Sequence, residues 1–217
     1  MNSRGPRLAR LALALVAASG VALVARGAWV PAKATLAQGL LAAAWERAVA
    51  GEARPRPWPS ADTWPVARLH LPGRPPLVVL AGASGRTLAF GPGRVEGTAA
   101  PGEPGNLVVA GHRDTHFRAL ADVVPGDVLE VEAPDGVVRR YRVVETAVLD
   151  HRDTRPLAPS AGARLTLVTC WPFDAVRPGG PLRWVVVAEA VEASGRAAPE
   201  LIARREGGSR RSGRGHP

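Results

Sequence analysis

A chain of 217 residues has room for one domain with a substantial core, and 46% hydrophobic against 22% charged residues excludes an intrinsically disordered polypeptide. The formal charge of +9 points at first to nucleic acid, but the excess sits at the ends: Arg4, Arg7 and Arg10 precede the first apolar run, and Arg196, Arg204, Arg205, Arg210, Arg211 and Arg214 fall in the last stretch. No platform of base-stacking aromatics accompanies them, so no nucleic-acid partner is expected. With Cys170 as the sole cysteine, an internal disulfide is excluded and any role for that side chain is as a thiol.

In chain order, Leu11 to Ala25 is an uninterrupted run of apolar and small residues behind a basic start. Counted from Leu8 to Val30, with Arg26 snorkelling and Trp29 at the interface, it is long enough to span a bilayer; counted alone, it suits the core of a signal peptide. No small-x-small cleavage site follows, which favours an uncleaved anchor over residues 1–30 with the basic end in the cytoplasm. Either reading puts the rest of the chain outside the cytoplasm, on the first reading as a single-pass protein of the cell (inner) membrane.

Lys33 to Ala50 is rich in Ala and Leu and reads as a helix, with Leu36, Leu40, Ala44 and Trp45 on one face; residues 31–56 are thus expected to be helix and linker. From Trp64 the pattern changes to β. Val66 to Leu71 alternates, Leu77 to Leu80 is apolar, and Leu88 to Phe90 suggests a short strand. Leu107 to Ala110 is a buried strand, and His116 to Val123 suits a helical turn. Val128 to Val131 and Val137 to Val148 flank Pro134-Asp135-Gly136, a hairpin signal. Two more strands follow, Leu165 to Val168 and Leu182 to Val187. Short strands punctuated by Gly (24) and Pro (21) indicate a sandwich or a closed barrel over residues 57–193. The basic tail, residues 194–217, reads as disordered.

Three strands end or begin in reactive side chains. Leu165-Thr166-Leu167-Val168-Thr169-Cys170-Trp171-Pro172 is a strand that Pro172 stops just past a thiol; Asn106 to Ala110 runs into Gly111-His112-Arg113; Pro181-Leu182 leads into Arg183 and the strand Trp184 to Val187. A thiol, an imidazole and a guanidinium are the parts needed for acyl transfer: nucleophile, acid/base and charge stabiliser. Metal-ligand spacings are missing and no glycine-rich phosphate loop precedes a helix, so neither a metal nor a cofactor is expected.

Thr166-Leu167-Val168-Thr169-Cys170, with Gly111-His112-Arg113 before it and Arg183 after it, resembles the sortases, membrane-anchored cysteine transpeptidases. Trp171 to Val176 and Pro178 to Arg183 look most like the sortases of Gram-negative bacteria. The resemblance runs from about Pro57 to Glu192. It implies a mainly β fold, a closed eight-stranded barrel with short helices behind an N-terminal transmembrane helix. It also implies catalysis by Cys170, His112 and Arg183 on a protein substrate with a C-terminal Leu-Pro-x-Thr-Gly-like sorting signal, through a thioacyl enzyme to an amine acceptor that the motifs do not identify. Thr169 and Trp171, next to the nucleophile, are the expected substrate contacts. Asp114 and Asp174 are candidates for orienting His112 or Arg183. Arg113 and Arg177 are weaker alternatives to Arg183, and His116 has no part in the motif. Two other readings use the same residues: a cysteine peptidase with water as acceptor, and a non-enzymatic membrane-tethered barrel.

Overall fold

In the computed structural model, residues 20, 36–177 and 179–191 are described; the expected anchor and the basic tail lie outside them. Among the described residues no helix is long and apolar enough to cross a membrane.

Eight strands form a closed barrel: β1 (Pro65–His70), β2 (Leu77–Ala81), β3 (Gly93–Arg94), β4 (Asn106–Ala110), β5 (Val128–Glu132), β6 (Val138–Asp150), β7 (Arg164–Trp171) and β8 (Leu182–Ala190). Around the wall the order is β1-β2-β3-β4-β7-β8-β6-β5, with β5 returning to β1 through Leu69 opposite Val131. Most neighbours are antiparallel; β2–β3 and β4–β7 run parallel. The hairpin between β5 and β6 forms as Asp135-Gly136 suggests. Gly136 takes a positive φ of 81°, and Asp135 accepts a hydrogen bond from the Val137 amide at 3.0 Å.

Alternation builds the core. Leu107 and Val109 of β4, Leu165 and Leu167 of β7, and Val186 and Ala188 of β8 point inward with Ala67, Leu69, Leu129 and Val131. Phe117, Leu120 and Val123, from the segment after β4, close the interior around a 3-10 turn at Arg118–Ala121. Each large aliphatic side chain so buried contributes roughly 1.5–3 kcal/mol.

Helix α1 covers residues 36–49 and packs on the barrel wall. Its buried face is Ala37, Leu41, Ala44, Trp45 and Ala48, whereas Leu36, expected inside, is exposed. Trp45 sets the register: Arg68 of β1 lies over its ring at 5.0 Å and pairs with Glu46 at 2.7 Å. Gln38 adds a hydrogen bond to the Phe90 carbonyl at 2.9 Å.

One expected strand is a helical turn instead. Gly85–Leu88 forms α2, because the Ser84 hydroxyl accepts from the Thr87 amide and caps it. Leu88 to Phe90 therefore leaves a helix, and the short strand lies further on at Gly93–Arg94. A side chain at Gly93 would put Cβ about 2.1 Å from the Gly82 carbonyl oxygen, so the close approach there needs glycine.

Candidate active site

The parallel pairing of β4 with β7 and the antiparallel pairing of β7 with β8 bring the three reactive side chains to one place. Ala110 pairs with Val168, and the Gly111 amide still bonds the Val168 carbonyl at 3.1 Å; continuing that register by two residues sets His112 level with Cys170 in sequence along the two strands. On the other side of β7, Cys170 and Arg183 are direct cross-strand partners. Opposed residues of adjacent strands share a face with Cβ atoms about 5 Å apart.

That face is the outside of the barrel. Leu165, Leu167 and Thr169 alternate inward, so Thr166, Val168 and Cys170 face out, as do Arg183, Val185 and Val187 of β8. Cys170 is half-buried and His112 exposed. Arg183 Nη1 donates to the carbonyls of Gly180 at 2.8 Å and Leu182 at 2.9 Å, which orients the guanidinium over the strand end.

Why His112 sits where it does follows from Gly111. A Cβ there would lie 2.7 Å from the ring of Phe117, so glycine lets that ring pack beneath the strand end. The chain then turns, with the Phe117 amide on the His112 carbonyl at 3.0 Å.

Thr169, expected to offer its hydroxyl to substrate, does something else: it is 2% exposed, and its hydroxyl donates to the Gly111 carbonyl at 2.7 Å. It ties the Cys170 strand to the His112 strand from inside. Trp171 is half-buried, stacked on Trp184 at 5.2 Å and edge-on to Phe173 at 5.5 Å. Asp114 is bonded to Arg113 at 3.1 Å, and Asp174 is exposed; among the described residues neither carboxylate bonds His112 or Arg183. Arg177 is exposed, while Arg113 is buried and engaged by three backbone carbonyls and the Asp114 carboxylate, so Arg113 does not compete with Arg183 for the outer face.

Two concavities flank the site. On the outer wall a groove of about 280 Å³ is lined in part by Ala147, Leu149, Thr166, Val185 and Val187 and by Pro156 of the segment after β6. Asn106, 3% exposed, holds that segment in place by donating to the carbonyls of Pro156 and Ala158, both at 2.9 Å, while its own carbonyl accepts from Thr166. On the other side a cavity of about 530 Å³ includes Leu77, Thr115, His116, Ala119 and Phe173. The groove combines its aliphatic side chains with Glu145, Arg155, Arg164 and Glu189, a mixed lining that suits an extended peptide. Among the described residues no cluster of His, Cys, Asp and Glu could hold a metal ion.

His116, close to His112 in sequence but without a part in the motif, stands near enough to feel the His112 charge. Its imidazole is held below the ordinary value of 6.5, first by burial and then by the His112 charge. A lowered folded value means that the unfolded chain takes up a proton first as pH falls. Stability from this group is therefore complete above about 6.5 and declines below it. The melting temperature is expected to drop more between pH 7.5 and 5.5 for the wild type than for His116→Gln. Parallel drops would show that His116 stays outside this linkage.

Comparison with known proteins places the arrangement. The sortase domain model matches residues 73–191, over half the chain. Sortase D of Bacillus subtilis is 31% identical over 116 residues, covering 53% of this chain and 58% of that relative, so the match spans less than two thirds of the relative's length. Among solved structures, a Clostridium perfringens Sortase D5 transpeptidase superposes with a TM-score of 0.52 at 27% identity, over 58% of this chain and 79% of the other. Sortase A from Corynebacterium diphtheriae gives 0.55 at 26% identity, over 76% and 88%.

Proposed function

Since the chain belongs to the sortase family, we propose that it is a cysteine transpeptidase that joins the C-terminal region of a protein substrate to an amine. The observation that carries the reading is the strand register, which sets Cys170 opposite Arg183 and brings His112 alongside at the end of β4.

The Cys170 thiolate attacks the carbonyl carbon of the scissile peptide bond in a Leu-Pro-x-Thr-Gly-like signal lying in the outer groove. The developing oxyanion forms beside the Arg183 guanidinium, a fixed positive charge in a partly dry cleft. The C–N bond breaks as His112 gives its proton to the departing amine, leaving a thioester on Cys170. An incoming amine attacks that thioester; His112 takes the amine proton, the new amide forms and the thiolate leaves. The energy of the original amide is retained in the thioester, so no nucleotide is consumed. The basic residues Arg4, Arg7 and Arg10 before an apolar run support an N-terminal anchor that holds the barrel on the outer side of the membrane.

Intact-protein mass of the full chain, incubated with a small set of Leu-Pro-x-Thr-Gly-like peptides, tests this. The expected result is an acyl adduct on Cys170 that a glycine-based amine clears faster than water does. An adduct cleared by water alone would replace the transferase with a hydrolase. A chain whose Cys170 reacts with neither peptide nor a small alkylator would have no thiol chemistry at all.

A further inference from the structure

Arg113 is 2% exposed, the largest charged side chain buried in the barrel region. A buried guanidinium is costly unless its donors are met. Here they are. Nη1 donates to the Pro172 carbonyl at 2.9 Å; Nη2 donates to Ala175 at 2.9 Å and Arg177 at 2.7 Å; Nε donates to the Asp114 carboxylate at 3.1 Å. Three of these four acceptors belong to one segment, the start of the loop between β7 and β8.

Apart from Arg113, the described part of the segment is held at its start by Phe173, which packs against the core and edge-on to Trp171 and Trp184. The segment's own turn is a long Ala175 amide to Pro172 carbonyl bond of 3.4 Å. Val176, further along, is 98% exposed and anchors nothing. Yet the loop leaves β7 directly after Cys170 and Trp171 and returns to β8 at Leu182 and Arg183. Arg113 itself follows His112. One side chain thus connects the backbone that carries the imidazole to the segment that joins the thiol to the guanidinium.

We propose that Arg113 is a positioning residue: its buried guanidinium fastens residues 172–177 to the end of β4 and so fixes the spacing of Cys170, His112 and Arg183. The proposal rests on the transpeptidase reading for its kinetic consequence and not for the anchor itself. The planar fork with five donors reaches three carbonyls at once; an ammonium is a point charge and cannot span them. Misplacement of a reacting group by about 1 Å costs about 100-fold in rate.

The test uses the full chain as wild type, Arg113→Lys and Arg113→Met. Amide hydrogen exchange is read at residues 173–177 and in β5 and β6, alongside the rate of peptide acylation of Cys170 and its alkylation by iodoacetamide. The expected result is faster exchange confined to residues 173–177. Acylation should fall about 100-fold in the Met variant and less in the Lys variant, with alkylation close to wild type in both. General destabilisation would instead raise exchange throughout the barrel. Unchanged exchange at 173–177, or a released loop with acylation within about twofold of wild type, would overturn the proposal. If Arg113→Met does not fold, Arg113→Lys decides alone. A wild type that no peptide acylates sinks the transpeptidase reading, while the exchange measurement still decides the anchor.

Discussion

Cys170→Ala is expected to fold normally and to form no acyl adduct with any signal peptide. The side chain is half-buried on the outer face, outside the packed interior of Leu165 and Leu167, so its removal costs about 1 kcal/mol or less. Its chemical loss is total, because no other cysteine exists to replace it. Removing the nucleophile of a concerted site lowers turnover on the order of 10⁴-fold or more. Mass spectrometry of the adduct and a fluorogenic cleavage assay both read this. Residual transfer above a hundredth of wild type would rule out Cys170 as the acyl carrier.

The second large effect concerns Arg183. Among the described residues its Nη1 is bonded to the Gly180 and Leu182 carbonyls, and no bond of its Nε or Nη2 is seen. The group is oriented by one nitrogen and has donors left for the substrate oxygen. Arg183→Ala should lower the acylation rate by about 10²–10³-fold, the typical cost of deleting an oxyanion donor. The effect should fall on kcat more than on KM, because the charge it meets develops in the transition state. Arg183→Lys should recover part of the loss, since a point charge cannot keep both carbonyl contacts and still reach the oxyanion. A change confined to KM would make Arg183 a binding residue for the peptide and leave the oxyanion to backbone amides.

How much of this was legible in the sequence depended on how local each feature is. The strands ending at Gly111-His112 and at Cys170 announce themselves as apolar runs stopped by glycine or proline, and the Asp135-Gly136 hairpin by its turn residues. The two-residue β3 has no apolar signal; it forms because Gly93 can approach Gly82. Leu88 to Phe90 looked like strand because apolar residues fit both periods over three positions; Ser84 and Thr87, which cap α2, were the better signal. The buried face of α1 was displaced by one position, from Leu36 to Ala37, because Trp45 and its contact with Arg68 set the rotation of the helix. Thr169 next to the nucleophile suggested a substrate contact, but strand alternation turns it inward. Arg113 looked like a lesser copy of Arg183; its burial is decided by Pro172, Ala175 and Arg177, far along the chain.

The closure of the barrel has a bearing on how a peptide can be held. Wherever β3 is too short to cover β4, the 95–99 segment takes over: the Val95 and Ala99 amides bond the Val108 and Asn106 carbonyls at 2.9 and 3.0 Å. On its other edge β4 is matched by β7, and β7 in turn by β8. Among the described residues around the site no strand edge is left to accept a visitor, so under the proposed function a substrate is not expected to bind by lengthening the sheet. If the proposed peptide lies in the outer groove, discrimination is expected to fall on its side chains against Val185, Val187 and Pro156. On the proposed function, changing Val187 and Pro156 should therefore redirect which sequences are accepted, and the same closed wall leaves neighbouring copies no edge among the described residues by which to stack.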